Sequence, residues 1–208
     1  MTNAIIISKE QFNSNTMYRK VFILLFLMSL SFYSFSQDKD IQTLYNQATK
    51  SLKLFVLKKP LNNNKYDISD SVFYGDYLMR SYNQSIDTKY FLEIIENSKK
   101  VDTSDWQDAE LPNCILIKDS ISLVDKNYVI NKFAANKKLL SNNKRETKRF
   151  NKHIADRRYY SMSRPVFDNA HQYAVVNISN NYYGGMLLMF KKVNSVWQEL
   201  GMIDVWRW

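Results

Sequence analysis

One histidine–aspartate pair could carry acid–base chemistry in this sequence. His171 lies three residues after Asp168, in the segment Asp-Asn-Ala-His. In such a pair, the histidine can act as a general base and the aspartate carboxylate can orient its imidazole. Such a pair needs a nucleophile from elsewhere in the chain, and residues within one tight turn rarely reach the required geometry. A hydrolase that uses His171 with Asp168 is therefore the alternative prediction, and our leading prediction names no catalytic residue.

Metal-binding side chains are sparse. The chain has two histidines and one cysteine, whereas a zinc site takes three or four such ligands at suitable spacings. An acidic loop is the remaining candidate, because carboxylate oxygens suit calcium, although the loop lacks the alternating acids and central glycine of a calcium loop. Its acidic members are Asp102, Asp105, Asp108 and Glu110. We predict no metal and no cofactor, and interpret this loop as a solvated segment anchored by Trp106.

A basic helix is the most informative feature of the sequence. On a helical wheel of about 100° per residue, five cations fall within one arc of about 140°. They are Lys144, Arg145, Lys148, Arg149 and Lys152. The two apolar residues Phe150 and Ile154 lie opposite them, as expected of a helix that covers a core. The cations form either a solvated outer face or a dock for an anionic surface or partner.

The N-terminal segment predicts export. From Met17, a short basic stretch precedes the apolar run 21–30, and Ser34 and Ser36 are the small residues expected before a cut at Gln37. The apolar run is shorter than the roughly 20 residues of a membrane-spanning helix. No cysteine lies at the cut to carry a lipid. We therefore predict a cleaved signal peptide and no membrane span after cleavage.

The predicted segments follow from this cut. Residues 1–36 are the signal peptide, with residues 1–16 as an extension upstream of a second start, and residues 37–208 are a single globular domain. This domain carries 26 basic and 19 acidic residues, a net charge of +7. A basic protein that is periplasmic or secreted is attracted to anionic lipid, to acidic glycan or to an exported protein. The expected compartment argues against nucleic acid as a partner.

Cys114 is the only cysteine of the chain. It therefore has no partner for an intramolecular disulfide. Because it lies in an apolar run, we interpret it as a small buried hydrophobic residue. The exported domain then depends on its core for stability.

The apolar spacing predicts helices first and strands last. Spacings of three and four residues indicate helices over 40–56 and 71–83, a third capped by Asp87, and the basic helix from Asn143, where Glu146 completes a capping box. Two short strands are predicted at 114–118 and 120–124. Four more follow at 159–165, 173–179, 185–192 and 196–206, separated by turn residues. The fold class is α+β, with N-terminal helices packed on a mostly antiparallel C-terminal β-meander.

The last fifty residues also carry a recognisable pattern. A Ser-x-Pro-x-Phe strand start is followed by Tyr-Ala, a glycine hairpin, a lysine-rich strand end and a tryptophan-led final strand. The matching residues are Ser163, Pro165, Phe167, Tyr173, Ala174, Gly184, Gly185, Lys191, Lys192 and Trp197. This pattern resembles that of small exported bacterial proteins of unknown function. The resemblance implies a structural motif and an exported location, and it supplies no catalytic residues.

These observations predict a non-catalytic extracytoplasmic binding or interaction module. Its contact with anionic envelope material would run through the basic helix, Lys144 to Arg158. Besides the alternative hydrolase, a purely structural partner of another exported protein fits the same sequence.

Overall fold

The computed structural model describes residues 22, 41–50, 54–62, 70–152 and 157–207. The predicted signal peptide, 1–36, lies outside these residues except for Phe22. Residues 43–208 form one compact unit, with which the account below is concerned. Among the described residues, no helix combines the length and apolar character needed to cross a membrane.

A seven-stranded mixed sheet is the frame of the unit. Its strands are β1 Phe55–Leu57, β2 Ile115–Ile117, β3 Tyr160–Met162, β4 Val166–Phe167, β5 Tyr173–Asn180, β6 Gly184–Val193 and β7 Val196–Trp206. They are ordered β2-β1-β3-β5-β6-β7, and β4 also pairs with β5. Strand β1 runs parallel to β2 and β3, and the remaining pairs are antiparallel. The predicted α+β class and C-terminal meander are confirmed.

Helices occupy the β1–β2 and β2–β3 connections, and one helix precedes β1. Residues 41–48 are helical (α1), and a 3-10 turn spans Ile121–Leu123. The other helices are α2 Asp70–Tyr82, α3 Thr88–Ser98, α4 Lys126–Ala135, α5 Lys137–Asn142 and α6 Lys144–Lys152. Asp87 caps α3 as predicted, because its carboxylate accepts a hydrogen bond from the Lys89 N–H at 2.9 Å.

Two helical layers cover one face of the sheet. The α2–α3 layer (residues 70–98) shares a core with β4–β7, and the α4–α6 layer (residues 126–152) shares another with β1 and β2. Val56, Tyr160 and Asn180 are register partners on one face. Successive side chains of a strand point to opposite faces. Phe55 is one residue from Val56 and Val175 is five residues from Asn180, so both side chains lie on the other face. Since Phe55 belongs to the second core and Val175 to the first, the two layers lie side by side.

Two predicted elements were wrong. The first helix does not reach residue 56, because residues 55–57 form β1 between two parallel neighbours. The run Leu54 to Leu57 continues the helical spacing by chance, and a short apolar run does not distinguish a helix from a buried strand. Residues 120–124 form the 3-10 turn rather than a strand, because the Asp119 carboxylate accepts the Ser122 N–H at 2.6 Å and closes the chain into a turn.

The predicted capping box at Asn143 was also wrong. The Asn143 N–H donates to the carbonyl oxygens of Leu139 and Leu140, so it is not available to the Glu146 carboxylate. Two further helices, α4 and α5, precede α6 and were not predicted as separate elements. The basic helix itself is confirmed over Lys144–Lys152.

Candidate functional site

The α4–α6 layer carries almost the whole net charge of the protein. Residues 126–152 hold nine lysines and arginines and one acid, Glu146, whereas the full chain has a net charge of +9. Seven of these cations are exposed, and Lys132 and Arg149 are half-buried. The exposed ones are Lys126, Lys137, Lys138, Lys144, Arg145, Lys148 and Lys152. Four of the five predicted ligand-binding residues are thus on the surface, and four further cations extend the patch beyond α6.

Asparagines divide this layer into three short helices. Asn136 separates α4 from α5, and Asn143 separates α5 from α6. Each side-chain amide donates to the carbonyl oxygen four residues earlier, at 2.9 Å, and each backbone leaves the helical region with φ near −118°. Asp125 begins the layer, because its carboxylate accepts the N–H groups of Asn127 and Tyr128. The chain therefore folds back over β1 and β2 and presents cations from three helices.

Within α6 the cations repel one another. Lys144, Lys148 and Lys152 are spaced at i, i+4 and i+8, and like charges at that spacing destabilise a helix. Arg149 is paired with Glu146 at 3.1 Å. The ion pairs found among the described residues do not include Lys144, Lys148 or Lys152. Lysine side chains thus concentrate positive charge that intrahelical acids do not neutralise.

Phe150 holds α6 on the sheet from the opposite side. Its ring is buried and stacks on Phe55 of β1, with the ring centroids 3.8 Å apart and the planes inclined by 20°. Phe133 of α4 contacts both rings. Core packing therefore fixes which side of α6 faces solvent. The prediction that Phe150 lies opposite the cations is confirmed, and Ile154, which was predicted to lie beside it, is outside the described residues.

Arg157 connects this layer to two neighbouring surface loops. Its guanidinium lies 4.8 Å above the Phe150 ring and donates to the Leu123 carbonyl oxygen in the 3-10 turn. Its own carbonyl accepts the side-chain amide of Asn181, in the β5–β6 hairpin, at 2.9 Å. Burial lowers the pKa of the guanidinium. One residue therefore joins the turn, α6 and the hairpin.

The β5–β6 hairpin presents an arginine between two exposed tyrosines. The Arg158 guanidinium lies 5.1 Å from the Tyr182 ring and 5.0 Å from the Tyr183 ring, and it donates to the Tyr183 hydroxyl at 2.8 Å. The Asn180 side-chain carbonyl accepts both tyrosine N–H groups and so fixes the turn. About half of each tyrosine is exposed. The sequence alone does not show that these two tyrosines contact Arg158.

The acidic loop is tied to the sheet by an arginine. Arg164 donates to both carboxylate oxygens of Glu110, at 2.6 and 3.2 Å, and pairs with Asp102 at 3.5 Å. Its guanidinium lies 4.5 Å from the Trp106 ring, which is fully buried and donates to the Met162 carbonyl. Trp106 is therefore the predicted anchor. Hydrogen bonds from Ser104 lower the pKa of Asp102.

The four acids of this loop, Asp102, Asp105, Asp108 and Glu110, do not converge on a metal position. Asp102 and Glu110 are paired with Arg164, and the Asp105 carboxylate lies 4.0 Å from the Lys58 ammonium. Among the described residues, no group of three or more histidine, cysteine or acidic side chains could hold a metal ion.

His171 and Asp168 lie beside an open groove of about 320 Å³, together with Lys100 and Asn97. The buried Asp168 carboxylate accepts three backbone N–H groups of its own turn, from Ala170, Gln172 and Tyr173, at 3.2, 2.7 and 2.6 Å. The exposed His171 imidazole stacks on Phe167, with the centroids 4.8 Å apart. This arrangement gives Asp168 a turn-forming role, and catalysis by His171 stays a prediction.

Cys114 is free and buried. Burial raises the pKa of its thiol to about 12, so the side chain is protonated at neutral pH. Its interpretation as a small buried hydrophobic residue is confirmed.

We found no family model, no curated protein and no solved structure that matches this chain. The functional argument therefore depends on the geometry and charge of the surfaces described above.

Proposed function

We propose that the protein acts outside the cytoplasm as a non-catalytic binding module for anionic envelope material, and that the α4–α6 layer is its binding surface. Export, and membership of the exported proteins that share the C-terminal pattern, are parts of this proposal. They are supported by the N-terminal basic and apolar segment and by the residues Ser163 to Trp197.

The charge distribution is the observation that carries the proposal. Nine cations against one acid in 27 residues create a local positive potential that attracts polyanions and raises their association rate. The remaining described helices do not repeat this pattern: residues 70–98 contain two cations and five acids. An anionic partner would therefore be directed to one side of the molecule.

The like-charge spacing within α6 supports the same conclusion. Lysines at i and i+4 reduce helix stability by a few tenths of a kcal/mol per pair. Replacing any one of them by an acid or a neutral residue would relieve this repulsion, since all three side chains are exposed. Folding alone does not favour this lysine ladder, Lys144, Lys148 and Lys152. Binding of a polyanion that neutralises the three charges would favour it.

Neutralisation of the ladder tests the proposal. We expect Lys144→Gln, Lys148→Gln and Lys152→Gln together to weaken retention on immobilised heparin by about a hundred-fold, because each of the three cations contributes about 1 kcal/mol near an anionic surface. The matched control removes three cations from α2, α3 and the residue after α3: Arg80→Gln, Lys89→Gln and Lys99→Gln. Both triple variants have the same net charge, so a difference between them reports position rather than total charge.

The salt concentration at elution and the thermal unfolding midpoint are the two measurements. Wild type and control should elute together at high salt, and the α6 variant should elute early while remaining folded. Equal early elution of both variants would show that total charge alone causes binding, and failure of the wild-type protein to bind would remove the proposal altogether.

A further inference from the structure

The surface beside the cations exposes aliphatic side chains. The 3-10 turn Ile121–Leu123 leaves Ile121 77% exposed and Val124 65% exposed, whereas Leu123 between them is buried. Leu123 packs in the same core as Val129 and Phe150 of the α4–α6 layer. The two exposed aliphatic residues are therefore held on a turn that is anchored to the cationic layer.

Hydrogen bonds keep this turn in its projecting conformation. The Asp119 carboxylate accepts the Ser122 N–H, which lowers the pKa of Asp119, and Arg157 donates to the Leu123 carbonyl. Since the turn is fixed before any partner arrives, presenting its apolar side chains requires little further ordering.

A second protrusion lies across Arg157 from the first. The Arg157 side chain contacts the turn, and the Arg157 carbonyl contacts Asn181 beside Tyr182 and Tyr183. Tyrosine has an apolar ring and a polar hydroxyl, which is the chemistry of side chains at the boundary between lipid and water. Two exposed segments, one aliphatic and one aromatic, are thus both hydrogen-bonded to Arg157.

We infer that the α4–α6 layer docks on an anionic lipid bilayer, with Ile121 and Val124 inserted below the headgroups and Tyr182 and Tyr183 at their level. This inference depends on the proposed function and names its ligand. A polyanion in water attracts lysines equally well, but it offers no apolar phase for Ile121 and Val124. Cations combined with exposed apolar side chains are typical of proteins that lie on a membrane surface.

Two carboxylates lie next to the inserted turn. Asp119 and Asp125 both accept backbone N–H groups, in the turn and at the start of α4 respectively. Lys118 and Lys126 directly flank them, so the sequence around the turn has no net charge. The attraction to anionic lipid therefore comes from the helices, and the turn supplies apolar contact.

A fluorescent label at position 121 tests the insertion. Cys114→Ala with Ile121→Cys gives the full chain one thiol for an NBD group, and Cys114→Ala with Val196→Cys gives the control, because Val196 is 50% exposed on β7. With vesicles of phosphatidylglycerol and phosphatidylcholine, we expect blue-shifted, brighter emission at position 121 and unchanged emission at position 196. The shift should disappear at high salt and with pure phosphatidylcholine, because the cations bring the turn to the surface. Each label reports its own position, so the N-terminal apolar run does not contribute.

A pair of double variants provides a label-free measurement. Ile121→Ser with Val124→Ser should reduce vesicle binding about ten-fold through lost apolar burial, and should leave heparin retention unchanged. Val196→Ser with Val205→Ser, which changes two similarly exposed residues of β7, should alter neither measurement.

The outcomes separate this inference from the proposed function. Water-like emission at position 121 in a protein that still binds heparin would overturn bilayer docking and favour an acidic glycan, with the basic surface intact. Absence of binding to both heparin and anionic vesicles would overturn the two proposals together.

Discussion

The two helical layers pack on the sheet in the same way but differ in the charge of their exposed surfaces. In α2 and α3, cations are paired with acids along the helix: Arg80 with Asp76 at 3.9 Å and Lys89 with Glu93 at 3.8 Å. In α6, lysines follow lysines at the same spacing. Each layer nevertheless buries a phenylalanine against the same face of the sheet, Phe91 in one and Phe150 in the other. Apolar positions thus specify the packing, and charged positions are free to specify a partner.

The layers also differ in the strands beneath them. The α2–α3 layer lies against antiparallel strands of up to 11 residues, which pair over most of their length, with two register shifts between β6 and β7. The α4–α6 layer lies on two parallel strands of three residues each. Fewer strand pairings and unneutralised charge both reduce its local stability. We therefore expect the cationic layer to open first in the native state.

Truncation of the two phenylalanines gives the largest expected effects. Phe150→Ala and Phe91→Ala should each lower the free energy of unfolding by about 3–5 kcal/mol, because each ring is almost fully buried. Hydrogen exchange distinguishes them: Phe150→Ala should release amides of residues 126–152 while β5–β7 stay protected. Phe91→Ala should lower protection in the meander as well. Equal loss of protection throughout the protein in both variants would contradict the idea that the layers have separate stabilities.

A glycine in β7 should have an intermediate effect. A Cβ added to Gly201 would lie 2.6 Å from the Tyr82 ring at the end of α2, and the Gly201 φ of +149° is strained for other residues. Gly201→Ala should therefore lower the free energy of unfolding by about 1–3 kcal/mol in urea denaturation. In a Tyr82→Ala background the penalty should shrink, because the clash is removed. An unchanged penalty there would attribute the whole effect to the backbone.

A single charge reversal should have the smallest effect, and its sign should differ between the layers. Lys148→Glu replaces two like-charge i,i+4 pairs by two attractive ones, so it should raise the free energy of unfolding by about 0.5–1 kcal/mol. Arg80→Glu, in the last turn of α2, replaces the pair with Asp76 by a like-charge pair and places an acid at a helix C-terminus, so it should lower this free energy slightly. Urea denaturation at low and high salt should show both differences shrinking as salt screens the charges. A destabilised Lys148→Glu variant would show that the lysine ladder has a structural role.

Local signals predicted much of this arrangement. Three predictions rest on residues that are close together in the sequence, and the structure confirms all three. They are the turns of the C-terminal meander, the cap of α3 by Asp87 and the cationic side of α6. Strand β1 could not be found in this way, because its partners are β2 and β3, at positions 115–117 and 160. Ile121 belongs to the segment predicted as a strand at 120–124, and its 77% exposure depends on a turn closed by Asp119. At the candidate site, the lysines of α6 were predicted, whereas the contribution of Arg157 required the folded chain.

The position of β1 has a consequence for the order of folding. This strand enters the sheet early in the sequence, yet one of its neighbours, β3, is made about a hundred residues later. Pairings of such long sequence separation form slowly, and the β5–β7 hairpins, whose contacts are local, can form before them. The sheet remains incomplete until nearly the whole chain is present. A newly made chain would therefore stay unfolded long enough to be threaded through a translocation channel, which suits the proposed export.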